Sequence, residues 1–576
     1  PTLDELNGNF RFRLRGADGI VGTADDGVLR DPNLTGTCSA TNRTACFGGS
    51  DPNLWNIIPI ARITTDGRAL ANVYRKMIEI SSSFNNSPVG SNATFQPFSP
   101  ADFRQELIRL DYVVSPQHTI FGRYVHDSNQ NLDPFGTFTI SQLPTIQHAR
   151  NRPGNGLQFG HLWNINSNLI NDARVNFSWT DQVIPPANEL WARSTYGFAF
   201  NQLFPSGGTY EDSIPDISAL SGGYSTFAGA ARSLVALAHD STVSDTLTWV
   251  KGDHTAKIGF SYNFSKVQQN GRSTYAGALN FNTNRANAAG AANLGSTGQV
   301  AGDILLGNFR TYSEFAFDPV GKFRFQQYEG FIADSWRVSK RLSVELGVRY
   351  QYGTPFYTRG NNIANFDPSL YDPAKAVSVT TGGVVTIPAG ATRFNGLIRA
   401  GDGVPEAERG YIPSWDSANV AAVPTGAPRG LYDATHEFMP RIGFAYSPFA
   451  NNKTAIRGGF GMYVDRIEGN IIFPLISNPP YVNSASYENG NLADIRGGSP
   501  SALSVFGTLA AIDPNLKTPR TMNFSLGIQH ELPGGIFVEA TAVGNLGRHL
   551  TRNPDINSVP FGVADNFANR PYKGYG

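Results

Sequence analysis

Nine charged residues recur on one side of alternating segments: Arg109, Asp111, Arg123, Lys257, Glu345, Arg349, Arg441, Arg457 and Glu539. Charges of both signs on one wet surface can pair with each other, stay solvated, or hold a polar solute, and mutual pairing is the default for a water-lined interior. Asp18, Asp25 and Asp26, in a glycine-rich run, offer oxygen ligands of the kind calcium takes, but not at EF-hand spacing; Asp-Gly pairs also form ordinary turns. The nine histidines never stand four residues apart, and no H-E-x-x-H occurs. With two cysteines, a structural zinc site has no support, and G-x-S-x-G, P-loop and dinucleotide fingerprints are lacking. The expectation is therefore no enzyme, no metal and no cofactor. Cys38 and Cys46 lie in a Gly/Asn/Thr-rich segment and read as a small loop disulfide in an oxidising compartment, the alternative being two free thiols.

The elements that position these charges must suit an unusual composition. Of 576 residues only 16% are charged, against roughly 25% in ordinary soluble domains, and glycine, at 61 residues, exceeds its usual share of about 7%. Lys+Arg and Asp+Glu balance at 46 each, which removes the electrostatic argument for nucleic acid. No stretch approaches the roughly 18 apolar residues of a transmembrane helix. The first residues, Pro1, Thr2, Leu3 and Asp4, show neither a starting Met nor a basic region before an apolar one, as expected of a processed chain or a fragment.

Period-two alternation is the strongest pattern. Ala256, Ile258, Phe260, Tyr262 and Phe264 share one face, and Lys257, Gly259, Ser261 and Asn263 the other. The split recurs in 173–180 and 342–350. Six hairpins follow: 103–114 with 119–127, 156–165 with 169–181, 243–250 with 255–268, 325–336 with 342–352, 439–447 with 454–464, and 521–531 with 536–546. Long links, 128–155, 182–242, 269–324, 353–438 and 465–520, separate them, some holding strand extensions such as 305–317. Short turns alternating with long links put every link at one end of the sheet, as in outer-membrane barrels. A soluble β-sandwich shares the alternation but does not need that asymmetry. Tyr112, Tyr124, Trp179, Trp249, Trp336, Tyr350, Tyr352, Tyr446 and Tyr463 fall near strand ends or on outward faces, where amphipathic rings meet a membrane boundary. His161 fits poorly, because its alternation with Phe159 and Trp163 puts it on the oily face. Leu70, Val73, Tyr74 and Met77 stand at helical spacing in 66–77, an amphipathic helix whose expected role is to pack its loop.

Phe438-Met439-Pro440-Arg441-Ile442-Gly443-Phe444-Ala445-Tyr446, followed by Ala455-Ile456-Arg457-Gly458-Gly459-Phe460-Gly461-Met462-Tyr463, resembles a hairpin of TonB-dependent outer-membrane receptors, closest to the Oar-like branch. Asp334-Ser335-Trp336 with Leu342, Gly347, Arg349 and Tyr350 resembles that family's D-x-W…L-x-x-x-x-G-x-R-Y hairpin. Phe121-Gly122-Arg123-Tyr124 and Gly544-Asn545-Leu546-Gly547-Arg548 add to it. The resemblance implies an all-β, antiparallel transmembrane β-barrel with long extracellular loops in the cell outer membrane. It implies import of a scarce solute (an iron chelate, cobalamin, a glycan or a peptide), with the TonB complex acting through a plug. The expected extent is a barrel segment over residues 1–576 with about 13–16 strands, 9–14 already being one. Plug, regulatory-like domain and final strands are expected to lie outside it. Its partners would be outer-membrane lipid, the TonB complex and an unidentified solute, with no nucleic acid. The rivals are a passive porin, an adhesion or export barrel, and a secreted all-β binding protein.

Overall fold

A computed structural model describes residues 1–204, 208–218, 221–287, 289–497 and 503–576; the parts of the links at 205–207, 219–220, 288 and 498–502 lie outside the described residues. Twelve long strands make the main sheet. They are β1 (Ala101–Ser115), β2 (His118–Asp133), β3 (Gly154–Asn166), β4 (Leu169–Ile184), β5 (Leu234–Lys251), β6 (His254–Asn270), β7 (Val320–Ser339), β8 (Leu342–Gly353), β9 (Thr435–Tyr446), β10 (Thr454–Val464), β11 (Arg520–Leu532) and β12 (Ile536–Arg548). Each is antiparallel to the next, and two short strands, His148–Asn151 and Tyr357–Thr358, bring the sheet to 14. All six expected hairpins are present. In the last, Gly534 and Gly535 both take positive φ, which lets the chain reverse tightly.

Alternation becomes two chemically different faces through the register. Ile258 lies opposite Ile332 and Leu247, and Ile332 opposite Val348. Ile258, Phe260, Ile332, Leu346, Ile442, Leu526 and Ile528 form an exposed dry face far larger than a soluble surface tolerates. At about 25 cal/mol per Å², leaving it in water is prohibitive, so hydrocarbon is its solvent. Strands as long as the 20 residues of β7 exceed the roughly 9–11 that cross a bilayer, so their link ends project beyond it.

His161 keeps this register. It faces the dry side near the short turns, where its Nε2 meets His118 Nδ1 at 3.0 Å and His118 stacks on Trp163. Asp334, also on the dry side, meets His254 at 2.7 Å beneath Trp336, so His161 and Asp334 each have a polar partner at this end. At the link end, Tyr262, Tyr328, Tyr352 and His436 form a continuous row of rings. Tyr463 differs: it lies on the wet face beneath Arg441.

Most of the buried core lies outside the main sheet, in the links and the first 80 residues. Phe10, Leu70, Val73 and Met77 pack with Phe227, Phe281, Ile304, Phe309, Tyr312 and Tyr487. A second cluster places Phe323 and Phe325 of β7 beneath Phe356, Leu431, Ile467 and Ile476.

Residues 9–14, expected as a strand, are not one. A helix at Leu3–Leu6 precedes them, the N–H of Leu14 bonds to the carbonyl of Phe10 in a turn, and Phe10 is drawn into the core while Arg13 pairs with buried Glu5. Burial of Phe10 outweighs the local alternation. The segment 305–317 does not extend a barrel strand either: Val300–Leu306 is helical, and Thr311–Phe315 joins a separate four-stranded sheet. The expected amphipathic helix spans Thr65–Ile80, with the Gly67 N–H bonded to Thr64 Oγ1 at 2.9 Å. A Cβ on Gly67 would lie 2.0 Å from the Leu305 carbonyl oxygen, so glycine is what lets this helix meet Val300–Leu306.

Candidate functional site

Every charged residue expected to face water shares the wet side of the sheet, because directly opposed residues share a face. Lys257, Ala333, Gly347, Arg441, Gly461, Asn523 and Asn545 form one transverse row. Ser335, Glu345, Gly443, Gly459 and Ser525 form the next. Four glycines in these rows, 347, 443, 459 and 461, leave a low floor with Glu345, Arg441 and Arg457 beside it. A Cβ on Gly443 would sit 3.7 Å from Glu345, at ordinary contact distance, so the floor there is flat through lack of side chains, whereas one on Gly461 would meet the Tyr463 hydroxyl at 2.9 Å, because that ring lies over it.

Only part of the charge neutralises itself. Arg109 grips Asp111 with two bonds, 2.8 and 2.6 Å, and lies over the Phe121 ring. Arg349 pairs with Glu329, which also accepts from Ser261 at 3.3 Å. Arg441 lies 4.7 Å from the centroid of Tyr463, and Glu539 accepts from Thr541 at 3.0 Å. Arg123, directly opposite Arg109, forms no ion pair among the described residues; nor do Lys257, Glu345 and Arg457. The nine candidates therefore form no single cluster. Arg109, Asp111 and Arg123 sit on the first hairpin, and the others spread from β6 to β12.

Several charge pairs escaped the sequence reading. Asp172 and Arg174 repeat the Arg109/Asp111 arrangement, with bonds of 2.9 and 2.7 Å, and Glu437 holds Arg520 at 2.9 Å. Opposite charges two apart on a strand were the available signal for the first. Nothing local announces the second, whose members are 83 residues apart.

Cys38 and Cys46 form a disulfide with Cα atoms 5.0 Å apart. The acidic run ties its own turn. Asp26 accepts the N–H groups of Gly16 and Gly22 at 2.8 and 2.6 Å, Asp25 accepts from Thr23, and Asp18 from the Ile20 N–H. Three further carboxyls lie in the third link, Asp303 and Glu314 buried and Asp318 half-buried. Asp303 is pushed up to about 7 and Asp318 to about 6 by desolvation, and Glu314 is raised for the same reason. Glu314 accepts the N–H groups of Leu203 and Phe204, so it joins two links. The arrangement suits binding and packing: charged side chains on a floor of glycine backbone offer noncovalent contacts.

A sequence model of the outer membrane beta barrel domain matches residues 1–576. No curated protein matches the sequence. Among solved structures, the outer membrane transporter YddB from Escherichia coli is 13% identical with a TM-score of 0.40, covering 80% of this chain and 42% of its own. The copper transporter OprC is 10% identical at 0.36, covering 78% and 46%. The alcaligin outer membrane receptor FauA from Bordetella pertussis is 7% identical at 0.36, covering 80% and 46%. The chain thus spans less than half the length of each.

Proposed function

Because the chain belongs to the outer membrane β-barrel domain family, we propose that it forms the barrel part of a TonB-dependent receptor of the Oar-like type, which imports a scarce solute across the outer membrane. One observation carries this reading. Phe323 and Phe325 lie on the wet face of β7 yet are buried beneath packed links, so the water-lined side is covered at the link end, where a passive porin needs an open mouth. A covered mouth suits a solute that is captured and then released inward by an energy-driven step, with the TonB complex acting through a plug of the parent protein. The glycine floor with Glu345, Arg441 and Arg457 is the surface such a solute or plug would meet.

Uptake of labelled ferric chelate, cobalamin, maltodextrin and peptide by cells with and without the gene tests this, each with and without a protonophore. Gene-dependent uptake that stops when the proton gradient collapses supports the receptor. Gene-dependent uptake that continues assigns a passive pore and overturns it.

A further inference from the structure

The dry face changes character along β6 and β7. From the short turns upward, opposed residues run Ile258/Ile332, Phe260/Gly330, Tyr262/Tyr328, Phe264/Gln326, Lys266/Arg324 and Gln268/Lys322. Apolar contact gives way to a tyrosine pair with ring centroids 4.8 Å apart, and then, on the same outward face, to cations. Tyr357 lies opposite Arg324, the Arg429 guanidinium covers its ring at 4.2 Å, and the Arg359 N–H bonds to the Lys322 carbonyl at 2.9 Å. Lys266, Lys322, Arg324, Arg359 and Arg429 thus share one outward patch.

Little opposes this charge. Glu408, buried, forms an ion pair with Arg359 at 2.7 Å and accepts from Lys322 at 3.3 Å. Asp181, two strands from Lys266, is engaged by His239 at 3.4 Å. Lys266 and Arg324 face each other directly across the ladder, a like-charge pairing that destabilises a sheet. The height is also specific. Four residues beyond the tyrosines is about 13 Å along a strand, or roughly 9 Å along the membrane normal at a tilt of about 45°. Flexible Lys and Arg side chains there reach the headgroup layer of the outer leaflet.

We propose that this patch binds the phosphate groups of a phosphorylated lipid of the outer leaflet, its acyl chains lying along Phe260, Ile258 and Ile332. Phosphate supplies the missing negative charge between Lys266 and Arg324, and a guanidinium can hold two of its oxygens at once. The ring row beneath sets the depth at which the lipid's chains begin.

The test uses the whole chain, folded in detergent and checked by heat-modifiable migration, with retention of bis-phosphorylated lipid A and of its dephosphorylated form read by native mass spectrometry. Wild type should prefer the phosphorylated form by about tenfold or more, since each cation near an anionic surface adds measurable attraction. Lys266→Gln/Arg324→Gln/Arg359→Gln should abolish that preference. Arg337→Gln/Lys340→Gln/Arg341→Gln, at the short turns, should keep it. If the triple variant fails to fold, Lys266→Gln/Arg359→Gln alters only exposed side chains and should still lower the preference. Equal retention of the two lipids, or equal loss in the short-turn control, would overturn the proposal. So would displacement of the lipid by an equimolar amount of inorganic phosphate, which would make the patch a free-anion site.

Discussion

Phe260 and Phe309 are the same residue in opposite circumstances. Phe260 is 49% exposed on the outer wall of the sheet, and Phe309 is 0% exposed inside the packed links. The sheet is held by its hydrogen-bonded ladder and leaves its large side chains for the membrane to cover. The links and the first 80 residues are held as a soluble domain is, by side chains buried against each other. One chain therefore uses two solvents, and a substitution means different things in each.

The largest separation should come from truncation. Phe309→Ala empties a filled site and should cost the link region about 3–5 kcal/mol, while Phe260→Ala leaves lipid to close the gap and costs far less. Hydrogen exchange in the links against heat-modifiable migration of the sheet reads the two separately. Equal effects would break the distinction. Introduced charge should act the other way round. Phe260→Arg should cost about 2–4 kcal/mol at mid-bilayer depth, and Ser261→Arg, next to Glu329 on the wet face, clearly less. Urea refolding into vesicles measures both, and equal costs would mean the wet face is not wet.

The smallest effect is a slope. Asp303 rises from 3.8 to about 7 on burial, so between those values the folded chain holds a proton that the unfolded one has released. Stability of the link region should then fall as pH climbs from about 4 to about 7 and level off above. Asp303→Asn, still able to accept the Thr297 N–H, should flatten that fall. A slope unchanged by the substitution would place its origin elsewhere, with Glu314 and Asp318 the next groups to change.

What the sequence made legible divides along the same line. The six hairpins could be read because a strand between lipid and water must alternate residue by residue, and Ile258, Lys257, Phe260 and Ser261 carry that rule locally. The helix at Thr65–Ile80 was equally plain from Leu70, Val73 and Met77. Residues 9–14 alternate too, but Phe10 answers to partners such as Phe227 and Tyr312, hundreds of positions away. The same distance hides Glu437 from Arg520. On the wet face the side taken by Arg109, Lys257 and Arg441 could be read, but not their partners. Tyr463, named with the ring-bearing strand ends, turned out to lie under a guanidinium instead.

Gly67 against Leu305, and Phe10 against Phe281 and Tyr487, weld together stretches of the exterior that are far apart in the gene. Grafting one loop of this protein onto another scaffold would therefore transplant half of an interior and leave the other half behind. Drift of the cell-surface portion under antibody or phage attack has to be concerted across several loops, or else confined to projecting tips such as Phe561, which is fully exposed.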